Sequence, residues 1–85
     1  MKKAVGLKYD RSKNSAPKVI ASAKGKMAEK IIELAKKNDI PIKEDSDLVE
    51  LLSKIEINKE VPPNLYKAVA EVFSWLYKLT GEKIS

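Results

Sequence analysis

The sequence contains neither cysteine nor histidine among its 85 residues. Without thiols it has no disulfide framework and no thiolate nucleophile, and without imidazole it lacks the commonest metal ligand and near-neutral proton carrier. Its start lacks the apolar core of a signal peptide, and no run approaches the roughly 20 apolar residues that cross a bilayer. We therefore expect a cytoplasmic, non-catalytic domain with no cofactor and no metal ion.

Arginine is nearly absent as well, since the seventeen basic residues include Arg11 and otherwise only lysines. Residues 1–26 hold eight basic residues against Asp10 alone, a net charge of +7, and residues 27–85 hold nine lysines against eleven acids, a net charge of −2. Such a basic third is compatible with contacts to nucleic acid, an anionic membrane or an acidic protein. Because arginine is nearly absent and no aromatic residues are interleaved with the lysines, a solvated lysine surface is favoured, and a basic nucleic-acid-binding or scaffold module is the alternative.

Alternating apolar residues predict strands near the start of the chain. Val5, Leu7 and Tyr9 have the period of a strand with one buried face, and residues 18–22 form a second run rich in β-branched residues. The turn-forming segment between them predicts an antiparallel hairpin with a long connection. Residues 40–44 predict a third strand, parallel to the second through a right-handed βαβ crossover.

Helical spacing of apolar residues predicts three helices in the rest of the chain. The first follows Gly25 and ends near Asn38, a candidate for a left-handed residue after the last turn. Asp45 or Asp47 is expected to cap a short second helix, and the longest helix is expected between Pro63 and Gly81. The connection before it is expected to turn its apolar residues inward, which are Ile55, Ile57 and Val61.

These elements give one α+β domain over residues 1–85, with a three-stranded mixed sheet and helices packed against it in the order β-β-α-β-α-α. A sheet this small is close to the lower limit for independent stability. The carboxylates of residues 44–47 suit capping of a helix N-terminus better than catalysis. Trp75 and Tyr77 suit either the core or an interface, where such residues are often energetically dominant. The residues alone therefore favour a binding or structural module.

Three segments occur in one continuous order: AVGLKYD with APKVIA, then NDIPIKED, then EINKEVPPNLYKAVAEVFSWLYKL. In this combination the chain resembles the cytoplasmic domain of the FlhB/YscU family, the substrate-specificity switch of the flagellar and injectisome type III export apparatus. The resemblance covers roughly residues 4–79. Asn58 stands where the family usually has glycine, and asparagine is the next-best residue for the positive φ angle of such a turn.

The resemblance also implies an Asn-Pro-Thr-His motif just before the strand that aligns with residues 4–9, where family members cleave their own chain between Asn and Pro. Here Met1, Lys2 and Lys3 occupy the aligned positions. We therefore expect a short, free-standing homologue of the switch domain that does not cleave itself. Its expected place is the cytoplasm, or the periphery of the membrane export gate.

The partners that the resemblance implies are type III export substrates, the hook- or needle-length regulator and other export apparatus proteins. A small hydrophobic pocket that receives a short substrate motif in the family matches Ala16, Pro17, Ala70 and Phe73 in this sequence. The alternative is that these four residues simply pack the core beneath the hairpin loop. The strand of Val5, Leu7 and Tyr9 is expected at an open sheet edge, either protected by Lys2, Lys3 and Lys8 or paired with a second copy.

Overall fold

A computed structural model describes residues 2–10, 12 and 16–81 of the chain. Its class is α+β, as predicted. The elements in chain order are β1 (Lys3–Lys8), β2 (Lys18–Lys24), α1 (Lys26–Lys37), α2 (Ser46–Leu52) and α3 (Tyr66–Thr80), with a single 3-10 turn (Pro63–Leu65) before α3. None of the helices in these ranges is long and apolar enough to cross a bilayer.

The hairpin predicted at the start of the chain is confirmed. β1 and β2 are antiparallel, with Ala4 opposite Ala23 and Leu7 opposite Val19. The register shifts between Gly6 and Leu7, where Ile20 is left without an opposite residue, which is the pattern of a β-bulge. β2 runs two residues further than predicted because Ala23 and Lys24 continue the ladder.

The third strand predicted at residues 40–44 is wrong, and so is the βαβ crossover. Over the described residues the sheet has two strands, and residues 40–45 form no strand. The free side of β2 is occupied instead by residues 58–61, which approach it antiparallel through a bridge between Lys18 and Glu60. The N–H of Val19 donates to the carbonyl of Lys59 (3.0 Å), and the N–H of Val61 donates to the carbonyl of Pro17 (2.8 Å).

Residues 40–45 form an irregular connection between α1 and α2, and this connection passes close to α3. The ammonium of Lys43 lies 5.9 Å from the centre of the half-buried Trp75 ring, a cation–π contact that joins this connection to α3. Ile40 stays 58% exposed. The short apolar run containing Pro41 is therefore an irregular linker, and residues 58–61 rather than residues 40–44 bond the start of β2 at Val19.

The two faces of the hairpin are covered by different helices. One face turns Val5 and Leu7 towards a core cluster formed with α2 and α3, whose buried members are Val19, Leu48, Leu52, Val61 and Val69. Ala4 and Gly6 alternate with these residues and so point to the other face. α1 contacts both strands, and its fully buried Ala28 lies outside the core cluster. α1 therefore packs on the face of small residues.

The helix ends follow the predicted signals with one correction. The carboxylate of Asp45 accepts a hydrogen bond from the N–H of Leu48 (3.1 Å), so Asp45 rather than Asp47 caps α2. Gly81 ends α3 with a φ of 80°. The left-handed residue after α1 is Asp39 (φ 56°), not Asn38, whose side-chain amide donates to the carbonyl of Leu34 (2.8 Å).

The connection between α2 and α3 buries Val61 and half-buries Ile55, as expected. The expectation for Ile57 is wrong, because this side chain is 51% exposed. Ile57 precedes a turn in which Asn58 has a φ of 73°, and that turn brings the N–H of Asn58 to the carbonyl of Val19 (2.6 Å). The positive φ angle expected at Asn58 is thus confirmed.

We expect Asn58→Ala to lower the free energy of unfolding by about 1 kcal/mol, because alanine pays the steric cost of the left-handed conformation that asparagine tolerates. Asn58→Gly is the matched control and should stay within about 0.5 kcal/mol of the parent, since glycine adopts this conformation freely. Urea denaturation followed by the fluorescence of Trp75, the single tryptophan, measures both variants. Equal losses in the two variants would contradict the role of this turn.

Candidate functional site

The site predicted around the hairpin loop begins where the β1–β2 ladder ends. Lys8 is the last residue of β1 and lies opposite Lys18, so Tyr9 and Pro17 lie at the two ends of the loop that connects the strands. Tyr9 shares the face of Leu7 by alternation, which is the face that meets α3. Its ring lies 5.6 Å from the ring of Phe73, centre to centre, at a tilt of 48°.

The second wall of the site is the segment of Ala16 and Pro17, and both residues are half-buried. The carbonyl of Pro17 accepts from the N–H of Val61 at 2.8 Å, which fixes this segment against the connection before α3. Residues 13–15, which precede it in the loop, lie outside the described part of the chain. Pro17 is thus held by a backbone hydrogen bond to the connection before α3, directly before the first residue of β2.

The third wall is one face of α3. Ala70, Phe73 and Tyr77 follow one another at spacings of three and four and so share a side of the helix. Exposure decreases along this row: Ala70 is exposed, Phe73 is half-buried and Tyr77 is 8% exposed. The rings of Phe73 and Tyr77 lie 6.3 Å apart. The small, exposed side chain of Ala70 beside the half-buried ring of Phe73 leaves a shallow apolar depression at the surface.

Of the four predicted pocket residues, Phe73 contacts the ring of Tyr9, and Pro17 lies at the same end of the hairpin as Tyr9. Ala16 adjoins Pro17 in the chain, and Ala70 adjoins Phe73 one turn earlier on α3. We refer to the candidate site of Tyr9, Ala16, Pro17, Ala70 and Phe73 as the apolar slot. Sequence reasoning placed Tyr9 only in the edge strand; continuing the hairpin register by one residue would have placed it beside Pro17.

β1 carries Val5 and Leu7 at the edge of the two-stranded sheet, whereas Tyr9, which was predicted in the same strand, lies one residue beyond its end. Over the described residues, the outer side of β1 receives no backbone hydrogen bond, while Val5 and Leu7 pack against the core. Lys8 is exposed beside this edge. Lys3 does not stand free there, because its ammonium bonds the carboxylate of Glu50 on α2 at 2.6 Å.

The Lys3 ammonium holds the pKa of the Glu50 carboxyl below its usual value, through the hydrogen bond and the neighbouring positive charge. A carboxylate whose pKa is lowered by folding stabilises the fold above its ordinary pKa and loses that contribution as the pH falls through the lowered value. This ion pair therefore joins β1 to α2 at neutral pH and weakens in acid. Both side chains are partly exposed, so its contribution is small.

The site offers contact surface rather than reactive groups. The sequence has no cysteine or histidine, and the described residues contain no cluster of three potential metal ligands. What the slot presents is a tilted pair of aromatic rings, a proline and two alanines. Such a surface is suited to an apolar side chain of an extended peptide.

Comparison with known proteins places the chain in one family. The model of the "FlhB HrpN YscU SpaS Family" matches residues 1–76. The uncharacterized protein YlqH of Bacillus subtilis is 49% identical over 79 residues, which cover 93% of this chain and 85% of that protein. The flagellar biosynthetic protein FlhB of Aquifex aeolicus is 40% identical over 74 residues, 86% of this chain. The chain spans about a fifth (21%) of the length of that FlhB.

Solved structures agree with this placement. The C-terminal domain of PscU superposes with a TM-score of 0.81 at 28% identity, over 87% of this chain and 95% of that domain. The native SpaS C-terminal domain superposes with a TM-score of 0.86 over 94% of this chain and 93% of that domain, at 16% identity, which shows the common fold. The comparisons give no support to a nucleic-acid-binding module. The chain therefore belongs to the FlhB/YscU family of type III and flagellar export proteins and matches the C-terminal domain of its members.

Proposed function

We propose that the chain is a non-catalytic component of flagellar or type III protein export that binds export substrates or the length regulator through the apolar slot. In this role it substitutes for, or cooperates with, the C-terminal domain of the membrane switch protein. The observation that carries the proposal is the contact between Tyr9 and Phe73 beside the exposed Ala70. This contact supports the proposal because it brings an aromatic ring from the end of the hairpin against the side of α3 on which Ala70 lies.

The absence of self-cleavage is part of the proposal. None of the four asparagines of the 85 residues precedes a proline, so the sequence contains no Asn-Pro bond of the kind that the family cleaves. A domain with no bond of its own to break contributes by binding alone. The open edge of β1 beside the slot is suited to an extended peptide that adds backbone hydrogen bonds, and it is equally suited to a second copy of the chain.

The test is a chemical-shift titration of the protein with export-signal peptides and, separately, with the C-terminal domain of the length regulator. We expect shifts clustered at Tyr9, at residues 16–17 and at residues 70–73. Ala70→Gln should weaken binding about tenfold, because a longer polar side chain in the slot displaces apolar contact worth about 1.4 kcal/mol. The site of Ala70 is exposed, so the variant keeps the fold.

Leu79→Gln is the control, since it places the same side chain on an exposed position of α3 on the opposite side of the helix from Ala70. Its affinity should equal that of the parent. The proposal fails if neither ligand shifts any of these resonances at millimolar concentration and the chain also does not restore export in a strain whose switch protein lacks its C-terminal domain.

A further inference from the structure

The apolar side of α1 is wider than the part that the fold buries. Ala28 is fully buried against the hairpin, whereas Met27 is 59% and Leu34 is 58% exposed. These two residues are seven positions apart, two turns of helix, and so lie on the same side. Ile31 lies between them in the chain and is half-buried. Met27 and Leu34 therefore form an exposed apolar row along α1.

A row of lysines adjoins this apolar row. At about 100° per residue, Lys26, Lys30 and Lys37 fall on the sector next to Met27 and Leu34, and all three lysines are exposed. The acids of α1, Glu29 and Glu33, fall on the far side of the lysines. About 100° of the helix surface, from Lys26 to Met27, thus presents two exposed apolar side chains and three ammonium groups, and Glu33 lies about 20° beyond Lys26.

We propose that this sector of α1 docks on an anionic lipid surface. Lysines near such a surface are attracted by its negative potential, and their long stems reach up to the headgroups while apolar neighbours enter the boundary below. The centres of protein interfaces are instead enriched in aromatic residues and arginine and depleted in lysine, and the sector contains no aromatic residue and no arginine. Its composition therefore favours lipid over a protein partner.

The position of α1 makes this docking compatible with the apolar slot. α1 covers the face of the hairpin made by Ala4 and Gly6, while the slot is formed on the other face with α3. A domain held on a membrane through α1 would keep the slot directed away from the lipid. The inference goes beyond the proposed binding function, and neither requires the other.

The test is co-sedimentation of the protein with vesicles of phosphatidylcholine alone and with vesicles that also contain phosphatidylglycerol. We expect binding to the anionic vesicles, weakened by salt, and little binding to the neutral ones. Lys30→Gln/Lys37→Gln should lower the affinity about thirty-fold, since each lysine near such a surface contributes roughly fivefold. Met27→Ser/Leu34→Ser should lower it at least about tenfold through lost apolar burial.

Matched controls keep the result specific to α1. Lys54→Gln/Lys67→Gln removes the same charge from exposed lysines elsewhere, and Leu51→Ser/Leu79→Ser changes two leucines that are also exposed. Both controls should bind as the parent does. No binding to anionic vesicles at low salt, or losses in the controls equal to those in the α1 variants, would overturn the proposal. So would equally tight binding to polyglutamate that is insensitive to Met27→Ser/Leu34→Ser, which would indicate an acidic protein partner.

Discussion

Leu52→Ala is expected to lower the free energy of unfolding by about 2–5 kcal/mol, the cost of a truncated leucine in a packed core. Leu52 is 2% exposed and contributes to the cluster that joins α2 to the hairpin and α3. Small domains are stable by only about 5–15 kcal/mol, so the variant loses a large share of the total. Thermal unfolding followed by circular dichroism should show a midpoint at least about 10 °C lower.

Leu51→Ala is the matched control for this variant. Leu51 is the preceding residue of the same helix, has the same side chain, and is 47% exposed. Its replacement should change the free energy of unfolding by no more than about 0.5 kcal/mol, as is usual for surface positions. Similar losses at the two leucines would show that α2 is not oriented as described.

Tyr77→Ala is expected to have an effect of comparable size, about 3–5 kcal/mol. Tyr77 is 8% exposed, and its ring supports that of Phe73, which in turn contacts Tyr9. Removing the ring therefore loosens the docking of α3 and withdraws support from the apolar slot. Urea denaturation measures the loss of stability, and the peptide titration of the remaining folded protein should show a weaker slot.

Leu79→Ala provides the comparison for Tyr77 because it lies two residues further along α3 and is 60% exposed. It should leave both stability and the slot unchanged. Tyr77→Phe separates the ring from the hydroxyl group, and we expect it to keep the ring contact with Phe73. If Tyr77→Ala unfolds with the parent's midpoint, the aromatic row does not hold α3 in place.

Most of the helical structure was predictable from the sequence because it depends on local signals. Amphipathic spacing indicates α1, Asp45 supplies a side-chain cap to α2, and Gly81 adopts the left-handed angle that ends α3. These features involve residues within a few positions of one another. Intrinsic preferences and caps therefore carry the information that predicts them.

The partner of β2 was not predictable in the same way. Residues 40–44 are apolar and extended enough for a strand, and residues 58–61 are not obviously better. The choice is made by the turn at Asn58, which presents the backbone of residues 58–61 to β2. Which segment pairs with the edge of a sheet depends on contacts between distant parts of the chain, so local periodicity does not predict it.

The candidate site was only partly predictable. The resemblance to the family implied Ala16, Pro17, Ala70 and Phe73, which come from two regions more than 50 positions apart in the sequence. The contact of Tyr9 with Phe73 was not predicted, because it depends on where α3 packs against the end of the hairpin. An aromatic residue at the end of a strand carries no local sign of which helix its ring will meet.

The start of β2 has a backbone neighbour on each side, and this arrangement has a mechanical consequence. Val19 is bonded to residues 58 and 59 on one side of β2, while β1 lies on the other. A force applied to β1 would act first on the hydrogen bonds between β1 and β2. The backbone hydrogen bonds between residues 17–19 and residues 58–61 do not involve β1. Pro17 would then stay anchored while Tyr9 left with β1. The bonds at residues 58–61 therefore hold Pro17 and Val19 to the connection before α3 independently of β1.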